Sequence, residues 1–363
     1  MRLRKIVRVF TFMVACLVLL AAAPIIYVEA SCRSAGQETR ATPQRAFHID
    51  DPGYRRAEGD SYLTYPEWYI VHAYADLAGV TRQSSESAFD YLASIGGFWT
   101  SLCSATRTAS SIGPVTTDQK VTNYIIGLSF SLEMGLQGFY ERTIGALTVL
   151  ARGGTPTPED AFNLRFLEDY AAFLQQTPWY EYPFGSEFLR FWRETPWSGS
   201  NFIRRIERRF ALSLEYGVKA GYGRAMGWLA GVSPADLLIG SVLNGKTKSG
   251  ELPANVTRVR DLGDGAVLVQ TPRYQAFTEI LRTLGRQQVQ VLEIAGNTRI
   301  LVTVIAPEAK RLQTTGAREI FALPIQSRPG WRRLGLDTEV PALTALIESL
   351  EGQGAAFEHA YDY

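Results

Sequence analysis

The chain starts with a basic segment that is followed by a long apolar run. Four basic side chains lie within the first eight residues, and residues 9–28 contain no charged side chain. Twenty helical residues rise about 30 Å, which is the thickness of the hydrocarbon core of a bilayer. Because the basic cluster precedes the run, we expect a cytoplasmic N-terminus and an exported remainder. The pattern predicts a single-pass membrane anchor over residues 1–30.

Two alternatives to an uncleaved anchor concern the end of this run. The segment from Val28 to Ala30 carries small residues, so a signal peptidase that cleaves after Ala30 is one alternative. The other is a lipoprotein acylated on Cys32, although Glu29 stands where such a site needs an aliphatic residue. Each alternative also exports the rest of the chain.

Apolar spacing of three and four residues dominates the next part of the chain. Residues 31–59 are polar and aperiodic and predict a tether. Helix-start signals then follow, among them Thr64 with Glu67 and the segment Thr157 to Asp160. The predicted helices cover residues 64–78, 87–105, 117–152, 157–175, 186–193, 201–230 and 233–243. The pattern predicts an all-α helical domain over residues 60–243.

After a linker at residues 244–253, short β-type runs alternate with helical segments. The predicted strands are 266–270, 289–294, 299–305, 319–325 and 356–361, and the predicted helices are 277–284 and 340–350. Gly296-Asn297 predicts a hairpin between two of the strands. The order predicts a small α+β domain of ferredoxin-like type, with one added strand, over residues 254–363. No repeat of 20–50 residues is apparent.

Glycine and serine recur every four residues in two of the long helices, as at Gly127 with Gly135 and at Gly217 with Gly221. Small residues at this spacing let two helix backbones approach closely, so we expect these helices to pack together. The alternative is that residues 121–140 and 225–243 are further membrane spans. Polar residues dilute both runs, which favours buried core helices.

Composition narrows the class of protein. The chain is 46% hydrophobic and 20% charged with a net charge of +1, which excludes a disordered chain and disfavours a nucleic-acid partner. Arginine greatly outnumbers lysine, as is typical of GC-rich bacterial genomes, so the exported part is expected in the periplasm. Cys32 and Cys103 lie outside the apolar run, and the hypothesis is a disulfide between them; two unpaired thiols are the alternative.

One carboxylate is out of place among apolar neighbours. Glu133 is expected to be buried and to need a cation such as Lys219, and Glu141 follows eight residues later. One hypothesis makes Glu133 and Glu141 an acid and base with His72 or Lys219 nearby. The alternative is a structural network of ion pairs. The spacing of histidines and glycines predicts no metal site and no cofactor.

Aromatic density is the second anomaly. Candidates for a ligand-binding groove are Trp68, Trp179, Tyr180, Tyr182 and Trp192. Plain core packing and an interfacial aromatic belt are the alternatives. The arginines that follow would form a solvated helix face or bind an anionic headgroup: Arg204, Arg205, Arg208 and Arg209.

These observations together predict a bacterial inner-membrane protein with a periplasmic part. The expected function is that of a non-enzymatic cell-envelope accessory protein that binds a hydrophobic ligand, such as a lipid, or a partner protein of the envelope. The alternative is an enzyme of unrecognised class that uses Glu133 and Glu141.

Overall fold

A computed structural model of the protein describes residues 11–12, 19, 21–32, 49, 51, 53–229, 237–244 and 252–363. The first continuous helix, α1, covers residues 21–31. Most of the predicted anchor and tether lies outside the described residues. Within the described residues, no helix is both long enough and apolar enough to cross a membrane.

The predicted all-helical region is confirmed between residues 60 and 229. Its helices are α2 (Asp60–Leu63), α3 (Tyr65–Gln83), α4 (Tyr91–Ile112), α5 (Thr117–Tyr140), α6 (Ala146–Arg152), α7 (Pro158–Leu174), α8 (Phe184–Glu194) and α9 (Phe202–Leu229). A π-helical turn, Glu141–Gly145, joins α5 to α6. The Thr157 side chain caps α7 in a capping box with Asp160, whereas Thr64 makes no side-chain cap for α3.

The predicted close contact between the small-residue stripes of two long helices, α5 and α9, is wrong. A side chain at Gly127 would meet Phe98 and Trp99 of α4, so this glycine makes room for aromatic rings. Gly217 and Gly221 of α9 face open space. Gly127 therefore serves the packing of α5 on α4, and Gly135 of the same stripe faces open space.

The C-terminal part contains two four-stranded antiparallel sheets. The first has the order β2-β3-β1-β4 and the second the order β6-β7-β5-β8. The strands are β1 (Leu238–Asn244), β2 (Thr257–Gly263), β3 (Ala266–Pro272), β4 (Val291–Ile294), β5 (Arg299–Pro307), β6 (Ala317–Pro324), β7 (Trp331–Glu339) and β8 (Ala356–Ala360). Helix α10 (Tyr274–Arg286) precedes β4, and α11 (Leu343–Gly352) precedes β8.

The two sheets are built from two copies of one topology. In each copy, three strands, a helix and a last strand follow in that order, and the strands take equivalent places in their sheet. Both copies contribute side chains to one hydrophobic core, which includes Val269, Leu281, Val302 and Leu346. No sequence repeat of 20–50 residues is apparent, because what recurs is the topology.

The ferredoxin-like expectation is wrong, since it places the strands in one sheet. The predicted hairpin at Gly296-Asn297 is also wrong: β4 pairs with β1, and β5 pairs with β7 and β8. Ala295 and Gly296 both have positive φ, and only an isolated bridge joins Ile294 to Asn297. The turn therefore passes the chain from one sheet to the other.

The predicted helix over residues 233–243 is wrong where the chain is described. Residues 238–244 form β1, which pairs with β3 and β4 at the centre of the first sheet. Ile239, Val242 and Leu243 are buried there. The pairing of β1 with a strand on each side outweighs the local helix signal. The start of that predicted helix, Ser233 to Asp236, lies outside the described residues.

Covalent and polar contacts fix the end of α1 against the helical region. Cys32 and Cys103 form a disulfide with their Cα atoms 5.1 Å apart. The Glu29 carboxylate accepts hydrogen bonds from Lys120 Nζ at 2.9 Å and from Tyr124 Oη at 2.7 Å. The end of the predicted membrane anchor is therefore held beside the start of α5.

We expect a non-reducing tryptic digest of the full chain to contain one linked pair of peptides, joining Cys32 to Cys103. Because the bond closes a loop between cysteines 71 residues apart, its loss should lower the free energy of unfolding by up to about 4 kcal/mol. Peptide mass spectrometry and denaturant titration of Cys103→Ser check both points. Two free thiols in protein from an oxidising compartment would contradict the pairing.

Candidate functional site

Helix α9 has an inverted polarity, with charged side chains inside and apolar side chains outside. Four of its arginines are buried, each less than one-tenth exposed: Arg204, Arg205, Arg208 and Arg209. In soluble helices the apolar side normally faces the core. The expectation of a solvated arginine face or a headgroup site is therefore wrong.

Buried carboxylates from other elements hold these arginines. Arg208 lies 2.6 Å from Glu86 and 2.7 Å from Glu141. Arg204 lies 2.8 Å from Asp160. Glu159 bridges Arg205 and Arg209, at 3.1 Å from each. Burying a guanidinium or a carboxylate is costly unless the charge is paired, so α9 is locked in this rotation.

Local backbone features place the carboxylates. Glu141 lies in the π-helical turn, and a side chain at Gly145 would collide with its carboxylate. Glu159 and Asp160 lie in the first turn of α7, where the helix dipole favours negative charge. Burial raises the pKa of Glu86, an effect that Arg208 opposes.

The opposite side of α9 and its neighbours carries exposed apolar side chains. We call this surface the apolar outer face; its members are Val121, Ile125, Leu132, Leu136, Phe139, Ile144, Leu147, Leu150, Phe202, Ile203, Ile206, Phe210, Leu214, Val218 and Tyr222. Contacts between α5–α6 and α9 run in opposite sequence directions, from Glu133 with Lys219 to Thr148 with Arg204. The two segments are therefore antiparallel neighbours. Soluble monomers rarely expose apolar surface of this extent.

The candidate carboxylates Glu133 and Glu141 have separate partners. Glu133 lies 3.0 Å from Lys219 Nζ and accepts a hydrogen bond from Tyr74 at 2.5 Å. Burial would raise the pKa of Glu133, but Lys219 and the hydrogen bond from Tyr74 together lower the pKa below its ordinary value. Glu141 is paired with Arg208. The arrangement matches structural ion pairs.

His72 lies at the contact between α3 and the second sheet. Its Nε2 is 3.2 Å from the Tyr361 hydroxyl, and its Nδ1 is 3.7 Å from Glu358. Burial lowers the pKa of His72 to about 3, and Arg333 adds to the effect. Trp68 packs against His359 with tilted rings whose centroids are 3.5 Å apart. The structure therefore places His72 and Trp68 in an interface between the helical region and the second sheet.

The other aromatic candidates lie near the ends of α9. Tyr180 and Tyr182 line a groove of about 700 Å³ between α8 and α9, which also contains Arg224. Trp179 stacks on Tyr222, and Trp192 packs against Trp197. Only Tyr180 and Tyr182 of the five predicted residues line this groove.

The sequence contains a periodic signal for the apolar outer face. In α9 the residues Ile203, Ile206, Phe210, Leu214 and Val218 recur every three or four positions. The arginines occupy the positions between them. This periodicity is compatible with either the arginine side or the apolar side of α9 facing the core. Only the buried carboxylates therefore determine the rotation of the helix.

Within the part of the chain that the structure describes, no group of three His, Cys, Asp or Glu side chains is placed to hold a metal ion. A comparison with protein-family models, curated proteins and solved structures finds no match to this chain.

We expect Arg208→Met to destabilise the fold by about 3–5 kcal/mol, because it leaves Glu141 without its cation and leaves Glu86 with only the more distant Arg204, 3.9 Å away, as a charged partner. The matched control is Arg165→Met, which removes a half-exposed ion pair with Glu194 and should cost under about 1 kcal/mol. Denaturant titration of the full chain in mild detergent measures both values. Equal, small losses in the two variants would contradict a buried network.

The buried imidazole of His72 predicts a pH dependence. The unfolded chain binds a proton below the ordinary pKa of 6.5, whereas the native His72 stays neutral down to about pH 3. Stability is therefore lost as the pH falls from 6.5 towards 3, by about 1.4 kcal/mol per pH unit.

His72→Gln should remove this contribution, so the stability of the variant relative to the wild type should improve between pH 7 and pH 5. Denaturant titrations at several pH values measure the difference, in which other titrating groups cancel. A difference that does not change with pH would show that His72 is protonated equally in both states.

Proposed function

We propose that the protein is a membrane-anchored accessory protein of the bacterial cell envelope that acts by binding an apolar partner through the apolar outer face. The inverted polarity of α9 carries this proposal. From Phe202 to Tyr222 the charged side chains of α9 are directed inward, so this part of the helix presents only apolar side chains and glycines to water. Covering the apolar outer face would instead release the hydrophobic free energy of a large surface.

The location follows from the predicted anchor and the disulfide. We propose that residues 9–28 span the inner membrane once, with the N-terminus in the cytoplasm and the helical and sheet regions in the periplasm. The Cys32–Cys103 bond supports an oxidising compartment, since disulfides are rare in the bacterial cytosol.

The alternative of an enzyme that uses Glu133 and Glu141 has less support. The two carboxylates pair with different cations, Glu133 with Lys219 and Glu141 with Arg208. Acid–base catalysis by a carboxylate pair needs both groups to face one substrate. The geometry favours a binding protein.

We expect a cysteine at position 214 to be protected in membranes that have not been treated with detergent. Leu214→Cys is compared with Val259→Cys on β2, each in the full chain with Cys16→Ser; the wild-type side chains are 59% and 41% exposed. A water-soluble maleimide should label position 214 much more slowly than position 259, because the partner covers the apolar outer face.

Denaturation in a strong detergent, which should make the two labelling rates equal, is the control for intrinsic reactivity. Rapid labelling of position 214 in intact membranes would show that the apolar outer face is open to water. The proposed function would then be wrong.

A further inference from the structure

We propose that the partner of the apolar outer face is the hydrocarbon region of the lipid bilayer. This inference rests on the proposed function and names its partner. Its first support is the composition of the exposed side of α9. From Phe202 to Tyr222, every exposed residue is either apolar or glycine. Twenty steps along a helix rise about 30 Å, so this apolar side forms a long strip that can lie in the periplasmic leaflet without the helix crossing the membrane.

The second support is the internal pairing of the buried arginines of α9. In hydrocarbon no water can satisfy a polar group, so charged side chains must face inward and pair within the protein. The arginines Arg204, Arg205, Arg208 and Arg209 do so. A protein partner would more commonly meet a surface with polar and charged groups around an apolar centre. The exposed side of α9 lacks such groups up to Arg224.

The third support is the position of aromatic and basic residues at the ends of α9. Trp197 precedes the helix and is 72% exposed, and Trp228 lies in its last turn and is 95% exposed. Tryptophan is enriched at both interfaces of a bilayer, where its ring lies at the level of the headgroups. Arg224 is the first exposed charged residue along α9, and it lies near the same end of the helix as Trp228.

The fourth support is continuity with the predicted anchor. Lys120 and Tyr124 of α5 bind Glu29, directly after the apolar run of residues 9–28. Val121 and Ile125, the first members of the apolar outer face, follow these contacts on α5. The apolar outer face therefore begins where the anchor is expected to leave the bilayer.

Polar groups also lie along this surface. Ser129, between Ile125 and Leu132 on α5, is exposed. The partly exposed side chain of Glu133 is paired with Lys219 and accepts a hydrogen bond from Tyr74. A paired charge of this kind is tolerated within a bilayer when its partner lies on a neighbouring helix. The Lys219 ammonium also lies 5.0 Å from the Tyr74 ring, which gives it a second favourable contact.

The experiment is electron paramagnetic resonance on the full chain in lipid nanodiscs. Spin labels are placed singly at Leu136→Cys, Leu214→Cys and Val259→Cys with Cys16→Ser. Power saturation measures collision with oxygen, which concentrates in lipid, and with a water-soluble nickel chelate. Retention of the disulfide and of helical circular dichroism shows that each labelled variant is folded.

At positions 136 and 214 we expect the spin label to collide more with oxygen than with the nickel chelate. At position 259 we expect the reverse. Low access of both reagents at 136 and 214 would mean that protein covers the apolar outer face. That result would overturn the bilayer inference and leave the proposed function standing. Greater access of the nickel chelate at 136 and 214 would overturn both.

Discussion

Four arginines on one helix need carboxylate partners, and this need fixes the rotation of α9. Arg208 contacts two carboxylates, Glu86 before α4 and Glu141 in the π-helical turn. An unpaired guanidinium in that position would cost several kcal/mol. The charged half of α9 is therefore directed inward, and the apolar half is left outside. The inverted polarity follows from charge pairing.

The same network connects parts of the chain that are far apart in sequence. It links the turn after α3, the π-helical turn, the start of α7 and the first half of α9. Buried ion pairs add little net stability compared with apolar packing, but they penalise any arrangement that separates them. Such a network defines one rotation of α9 and so presents one surface. The buried ion pairs therefore also determine which side chains form the proposed binding surface.

The helical region was predictable from apolar spacing and helix caps, and its boundaries agree with the structure to within a few residues at α7. The sheets were harder to predict. Strand β7 carries Arg332, Arg333 and Asp337 and does not have the apolar alternation of a strand. Its charged side chains are satisfied by distant partners, such as Glu358 for Arg333. Local patterns do not contain that information.

The candidate site was only partly predictable for the same reason. Glu133 and Lys219 were expected to pair, and the structure brings them together. The partners of the arginines lie on three other elements, so the sequence did not distinguish a solvated arginine face from a buried one. A helix with one charged stripe and one apolar stripe can pack with either stripe facing the core. In α9 the ion pairs with carboxylates on other elements select the rotation in which the arginines face inward.

A double-mutant cycle between Arg208 and Glu141 tests the inward rotation of α9 most directly. The free energy of unfolding is measured for the wild type, Arg208→Met, Glu141→Gln and the combined variant. The account predicts a coupling energy of roughly 1–3 kcal/mol, as for residues that share a buried network. Additivity within about 0.5 kcal/mol would mean that the two side chains do not interact and would contradict the account.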